Sequence, residues 1–225
     1  EWENIRCQFR VGEDMVPYLW HADNGSVEQC LTYRSGERYK ELSLTMPPVS
    51  SVFVVFRKEQ EAQSPIIVEE RIPFETPERN RRTRWKDIHL FRDDAGTLTA
   101  RIRTPGTYTF ATSTGGKSSV TIDAIPAPIA ASNEWTVRFP DGRNAPDSIV
   151  LQDLVSWTET DYPGVRYFSG TAVYENEFSI PRSLMADEHT LYLDLGRVKE
   201  VAEVMINGTP AGIVWKQPFR VEVTD

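Results

Sequence analysis

Several absences narrow the field first. Nowhere do the 225 residues approach the ~20 consecutive apolar positions that a membrane-spanning helix needs. The longest apolar run, in "SVFVVF" from Ser51 to Phe56, has the length of a buried strand. Sustained helical stripes are also missing, which argues against helical bundles and doubly wound α/β folds. A basic surplus is lacking too: 25 Lys and Arg against 33 Asp and Glu leave a net charge of −8. That balance makes nucleic acid an unexpected partner, because its phosphate backbone is drawn by cations. Two cysteines, Cys7 and Cys30, are too few to act as the main scaffold. They fall in neighbouring strand-like segments and fit either a bridge or two buried thiols. There is no Cys-x-x-Cys for zinc, and His21, His89 and His189 stand apart in sequence, none of them opening a His-Glu-x-x-His helix. The first residues, "EWENIRCQFRV", lack the basic start and apolar stretch of a signal peptide.

What is present is a period of two. With 40% hydrophobic residues the chain can build a sizeable core, and alternation puts successive side chains on opposite faces of strands. In "TAVYENEFSI" the residues Ala172, Tyr174, Phe178 and Ile180 share one face, while Glu175, Glu177 and Ser179 take the other. Leu191, Leu193 and Leu195 repeat the device. Val201, Glu203 and Met205 alternate with Ala202, Val204 and Ile206, a strand expected to be covered on nearly both sides. It ends at Asn207-Gly208, a strong hairpin signal, and returns through Ile213 to Trp215. Upstream, "GTLTARIRTPGTYTFATSTGGKSSVTI" reads as three short strands with turns at Pro105-Gly106 and Gly115-Gly116. Leu98, Ala100 and Ile102 are expected inward on the first of them, Tyr108 and Phe110 on the second. "IRCQFRV", "VEQCLTYR", "KELSLTM" and "SVFVVFRK" read as strands of the first segment.

Polar "EQEAQSPI" and proline-broken "AIPAPIAAS" divide the chain into an N-terminal β segment over 1–60, a small central β unit over 61–128 and a β-sandwich over 129–225. The expected fold class is all-β: an antiparallel sandwich or jelly roll preceded by smaller β segments.

Motifs for chemistry are sparse. "ATSTGGKSS" ends like a phosphate-binding loop, but Ala111 stands where its first glycine belongs, and no helix pattern follows, so it reads as a hairpin turn. Ser169 lacks the first glycine of a nucleophile elbow. "ERNRRTRWKDIHLFR" concentrates cations around Trp85, but Glu69, Glu70, Glu75 and Glu78 precede it and offset the local field. Glycoside hydrolysis needs two opposed carboxylates; Glu159 and Asp161, in "SWTETDYPG", are the acids embedded among aromatics, and strand-end solvation explains them equally well. Aromatic rings stack on the C–H faces of sugars, so Trp157, Tyr162, Tyr167 and Trp215 are candidate carbohydrate contacts, with core or interdomain packing as the alternative. No cofactor is expected. A calcium ion has only weak support, because Asp93-Asp94 and Asp141-Gly142-Arg143-Asn144 read as turns.

"SWTETDYPGVRYFSGTAVYENEFSIP" followed by "LYLDLGRVKEVAEVMINGTPAGIVWKQPFRVEVTD" resembles the C-terminal galactose-binding-like β-sandwich of the α-L-rhamnosidase-like glycoside hydrolases of family 106. It is more distantly similar to the jelly roll of the β-galactosidase and β-glucuronidase family. The likeness lies in the order Tyr167 to Phe178, Leu193-Asp194-Leu195-Gly196, Ala202-Glu203-Val204, Asn207-Gly208, Gly212 and Pro218-Phe219. It is specific over 150–225 and fainter upstream, where "YLWHADNG" fits a Trp-x-x-x-x-Gly turn. The resemblance implies a non-catalytic C-terminal region of an exported glycoside hydrolase, periplasmic or extracellular. Such a region would partner the catalytic domain and possess a surface open to carbohydrate. A stand-alone carbohydrate-binding protein and a purely structural interdomain module are the alternatives. By the same comparison both ends of the chain look cut, which would leave a sheet edge open to a second copy, and a homo-oligomer is expected.

Overall fold

The computed structural model of the protein describes residues 3–58, 66–72, 88–93, 95–112, 114–131, 134–142, 144–185 and 188–224. Every strand pairing among them is antiparallel, and the fold class is the expected all-β one. The polar "EQEAQSP" stretch and the cations Arg79, Arg81, Arg82, Arg84 and Lys86 lie outside the described residues. By internal contacts the chain forms two units, one of Glu1–Ile125 with Glu188–Asp225, the other of Pro126–Asp187.

The first unit begins with a sandwich. Strands β1 (Glu3–Phe9), β5 (Tyr39–Met46) and β4 (Tyr33–Gly36) form one sheet in that order; β3 (Val27–Gln29), β2 (Met15–Trp20) and β6 (Phe53–Lys58) form the other. Alternation along β5 sends Leu42 and Leu44 inward, where they meet Cys30 and Tyr33, with Leu19, Val54 and Phe56 packed on them. Each such aliphatic burial stabilises by about 1.5–3 kcal/mol. Cys7 and Cys30 are free thiols on this core, and burial pushes the Cys30 thiol up to about 11. Lys40, on the same face of β5, is buried as well. Its ammonium donates to the Glu13 carbonyl at 2.9 Å and to Ser35 Oγ, and sits 5.3 Å from the Tyr33 ring centroid. Burial draws its pKa below the ordinary lysine value.

Strand β2 holds a proline in the middle of its sheet. Pro17 accepts a hydrogen bond from Cys30 N at 2.9 Å but has no N–H to return, so the ladder cannot continue and β3 stops at Gln29.

Strands β7 (Ile66–Ile72), β8 (Ile88–Arg92), β9 (Leu98–Ile102), β10 (Gly106–Thr112) and β11 (Lys117–Ile122) follow. They form a three-stranded sheet β11-β10-β7 and a pair β8-β9 around Leu31, Ile66, Leu90, Ala100 and Phe110. Tyr108 is fully buried, and its hydroxyl donates to the Thr104 carbonyl at 2.7 Å. Leu98 is exposed, contrary to the inward placement expected for it.

The end of the chain joins this unit. Strands β15 (Tyr192–Asp194) and β18 (Arg220–Glu222) pair, as do β16 (Ala202–Ile206) and β17 (Thr209–Val214), over a core of Val204, Val214, Phe219 and Val221 with Leu193 and Leu195. Arg101 of β9 ties them to the central strands: it donates to Tyr192 Oη and to Glu222, each at 3.0 Å.

The second unit holds β12 (Trp135–Arg138) between β13 (Ser148–Leu151) and β14 (Val173–Glu175). Its core is Val137, Phe139, Ile149, Leu151 and Val165. The strand expected over 172–180 is shorter than its alternation suggests. Past Glu175, the Asn176 side chain donates to the Glu134 carbonyl at 2.7 Å, the kind of side-chain bond that competes with a backbone ladder. Phe178 and Ile180 are consequently exposed.

Candidate carbohydrate-contacting site

Three of the four candidate aromatics belong to the second unit. A 3-10 turn at Trp157–Glu159 is followed by a one-turn helix, α1 (Pro163–Arg166), whose proline occupies a position where the missing N–H costs nothing. Arg166 fastens the two together by donating to the Thr160 carbonyl through Nε and Nη2 at 3.2 and 2.9 Å. Gly164 is required by space: a Cβ there would stand 2.2 Å from the Asn144 carbonyl oxygen. The Trp157 ring meets Phe168 and Phe139 edge-on, with centroids 5.3 and 5.9 Å apart. Its indole N–H donates to Tyr174 Oη. Burial raises the pKa of that tyrosine. Tyr162 and Tyr167 bracket α1 and face solvent, Tyr167 with 84% of its surface open. Glu159 and Asp161 are exposed beside them.

Trp215 lies in the first unit, just past β17. It is 53% exposed. Lys216 reaches Asp23 at 2.6 Å while its ammonium stays 5.6 Å from the Trp215 ring centroid; the bond from Lys216 holds the Asp23 carboxyl below its ordinary pKa. The hairpin whose second strand leads to Trp215 and the turn that holds Asp23 both follow from sequence. Asn207 and Gly208 take φ of 50° and 81° in the β16-β17 hairpin, values suited to a two-residue type I′ loop. Asn24 Oδ1 accepts from Ser26 N at 2.9 Å in the Trp20-to-Gly25 turn, where Gly25 has a φ of 72°. The outer face of the hairpin is open: Val201, Met205 and Ile213 are exposed with Trp215. The expected cover on both sides is thus present on one only: Ala202, Val204, Ile206, Ala211 and Val214 turn to the core.

Sequence reading missed one constellation. His21 and His89, which look unconnected along the chain, both bond Glu28, at 3.0 and 2.8 Å. Burial opposes the charged carboxylate, but the two imidazole bonds outweigh it and hold the Glu28 pKa down to about 2. The bond to Glu28 raises the His21 pKa, with burial opposing and Asp23 assisting. The Trp20-to-Gly25 turn could have signalled the His21–Glu28 pair, since β2 and β3 run antiparallel from it; nothing local announces His89.

No family model matches the chain. A protein of Formosa agariphila named "Putative beta-glucuronidase" is 37% identical over 121 residues, which is 54% of this chain and 10% of that protein. The solved rhamnosidase of Novosphingobium sp. PP1Y superposes with a TM-score of 0.62 at 27% identity, covering 99% of this chain and 16% of the rhamnosidase. The chain therefore spans a small part of either relative, and it is related to a region found in proteins named as glycoside hydrolases.

Proposed function

We infer that the chain is a non-catalytic accessory β-sandwich region of an α-L-rhamnosidase-like glycoside hydrolase of the family 106 kind, working in the periplasm or outside the cell. It packs on the catalytic domain and extends the surface open to carbohydrate. The observation that carries this reading is the rhamnosidase likeness, which takes in nearly all of this chain but a sixth of the larger enzyme. The exposed face of Val201, Met205, Ile213 and Trp215 supports the packing role, since a large apolar patch on a protein surface marks an interaction site. The galactose-binding-like assignment and the division at 60 and 128 belong to the same reading. Gel filtration tests it: the chain should co-elute with the separately produced catalytic region of a related rhamnosidase, and Ile213→Asp should abolish this. Failure of the unaltered chain to associate would count against the packing role.

A second reading, a stand-alone carbohydrate-binding protein using Trp157, Tyr162, Tyr167 and Trp215, draws its main support from Trp215: an open ring beside a fixed Lys216–Asp23 pair offers a stacking surface with hydroxyl-directed polar groups. Calorimetry with plant oligosaccharides separates the readings, because Trp215→Ala should remove sugar affinity only under the second.

A further inference from the structure

The outer face of the β3-β2-β6 sheet carries exposed aromatic rings and an arginine. Across its three strands Val27, Trp20 and Phe53 stand in one row, Trp20 being the register partner of both neighbours. Gln29 and Tyr18 stand in the next row. Trp20 is 37% and Phe53 60% exposed, and Val27 is exposed as well. Over this row lies Arg57, its guanidinium carbon 4.8 Å from the Tyr18 centroid and 5.4 Å from that of Trp20. The side chain is exposed and pairs with no carboxylate among the described residues. A guanidinium stacked on rings uses its apolar faces and keeps its in-plane N–H donors free, in the fork that matches a carboxylate.

We propose that this face is a binding platform for an anionic saccharide, a pyranose chain bearing uronate carboxylates. The sugar's C–H face lies on Trp20 and Phe53, and the carboxylate is taken by Arg57. The exposed neighbouring rings of Trp20 and Phe53 account for a ligand with an apolar ring face. The local cation decides its charge, because an arginine held over two rings with no carboxylate partner among the described residues is complementary to an anion, and a neutral sugar gives it nothing to bind as an ion. This inference stands apart from the accessory role: a chain that never docks on a catalytic domain would still show it, so the two fail separately.

The test is calorimetry and tryptophan fluorescence on the 225-residue chain with tetragalacturonate and with its fully methyl-esterified, neutral counterpart. The acidic tetramer should bind at least about tenfold more tightly than the neutral one, the expectation for a charge-assisted bond. Arg57→Met should erase that difference, Arg57→Lys should restore part of it, and Phe53→Ala should weaken both ligands, with circular dichroism confirming that each variant is folded. Equal binding of the two tetramers, or an Arg57→Met variant that still prefers the acidic one, would overturn the proposal. So would binding of neither sugar accompanied by Phe53-dependent self-association, which would make this a protein-facing surface.

Discussion

Glu28 is a consequential charge because two histidines, His21 just past β2 and His89 in β8, converge on it. Its folded pKa of about 2 lies below the ordinary 4.5, so its contribution is complete above pH 4.5 and is lost as pH falls toward 2. His21 is held above its ordinary 6.5, so its contribution is complete below that pH and is lost as pH rises through the folded value. Both contributions coincide between pH 4.5 and 6.5. Urea denaturation across pH should therefore show Glu28→Gln costing most in that window, about 2 kcal/mol, and an unchanged pH profile would refute the linkage. At Trp157 the ring is committed to Phe139, Phe168 and Tyr174. Trp157→Ala should lower stability by about 3–5 kcal/mol in the same assay. The expected signature is lost stability with unaltered sugar affinity.

At the scale of elements, α1 exists because Pro163 starts it and Gly164 lets it approach the Asn144 backbone. Gly164→Ala should cost about 1–3 kcal/mol, the ordinary penalty of overpacking, seen as a lower urea midpoint; an unchanged midpoint would mean that the contact relaxes freely. The alternating strands and the Asn207-Gly208 hairpin were legible in the sequence because a period of two and a positive-φ dipeptide are local signals. Strand β2 was harder to read: Pro17 argues against a central strand, yet here the proline sits where the ladder to β3 ends. The strand over 172–180 was overextended for the opposite reason, since alternation persists past the point where Asn176 diverts the bonding. Of the candidate site, the hairpin leading to Trp215 and the turn holding Asp23 could be read locally. Their meeting through Lys216, and that of His89 with Glu28, depends on strands distant in sequence, and no spacing rule encodes it.

For the whole molecule, the end of the chain is bound into the first unit through Arg101, Tyr192 and Glu222 and through Lys216 and Asp23. The larger claim is that catalysis belongs to other parts of a glycoside hydrolase and that this region supports them. Incubating the purified chain with an aryl α-L-rhamnoside tests that claim most directly. No turnover above buffer is expected, and turnover abolished by changing a single carboxylate, Glu159 or Asp161 foremost, would refute this.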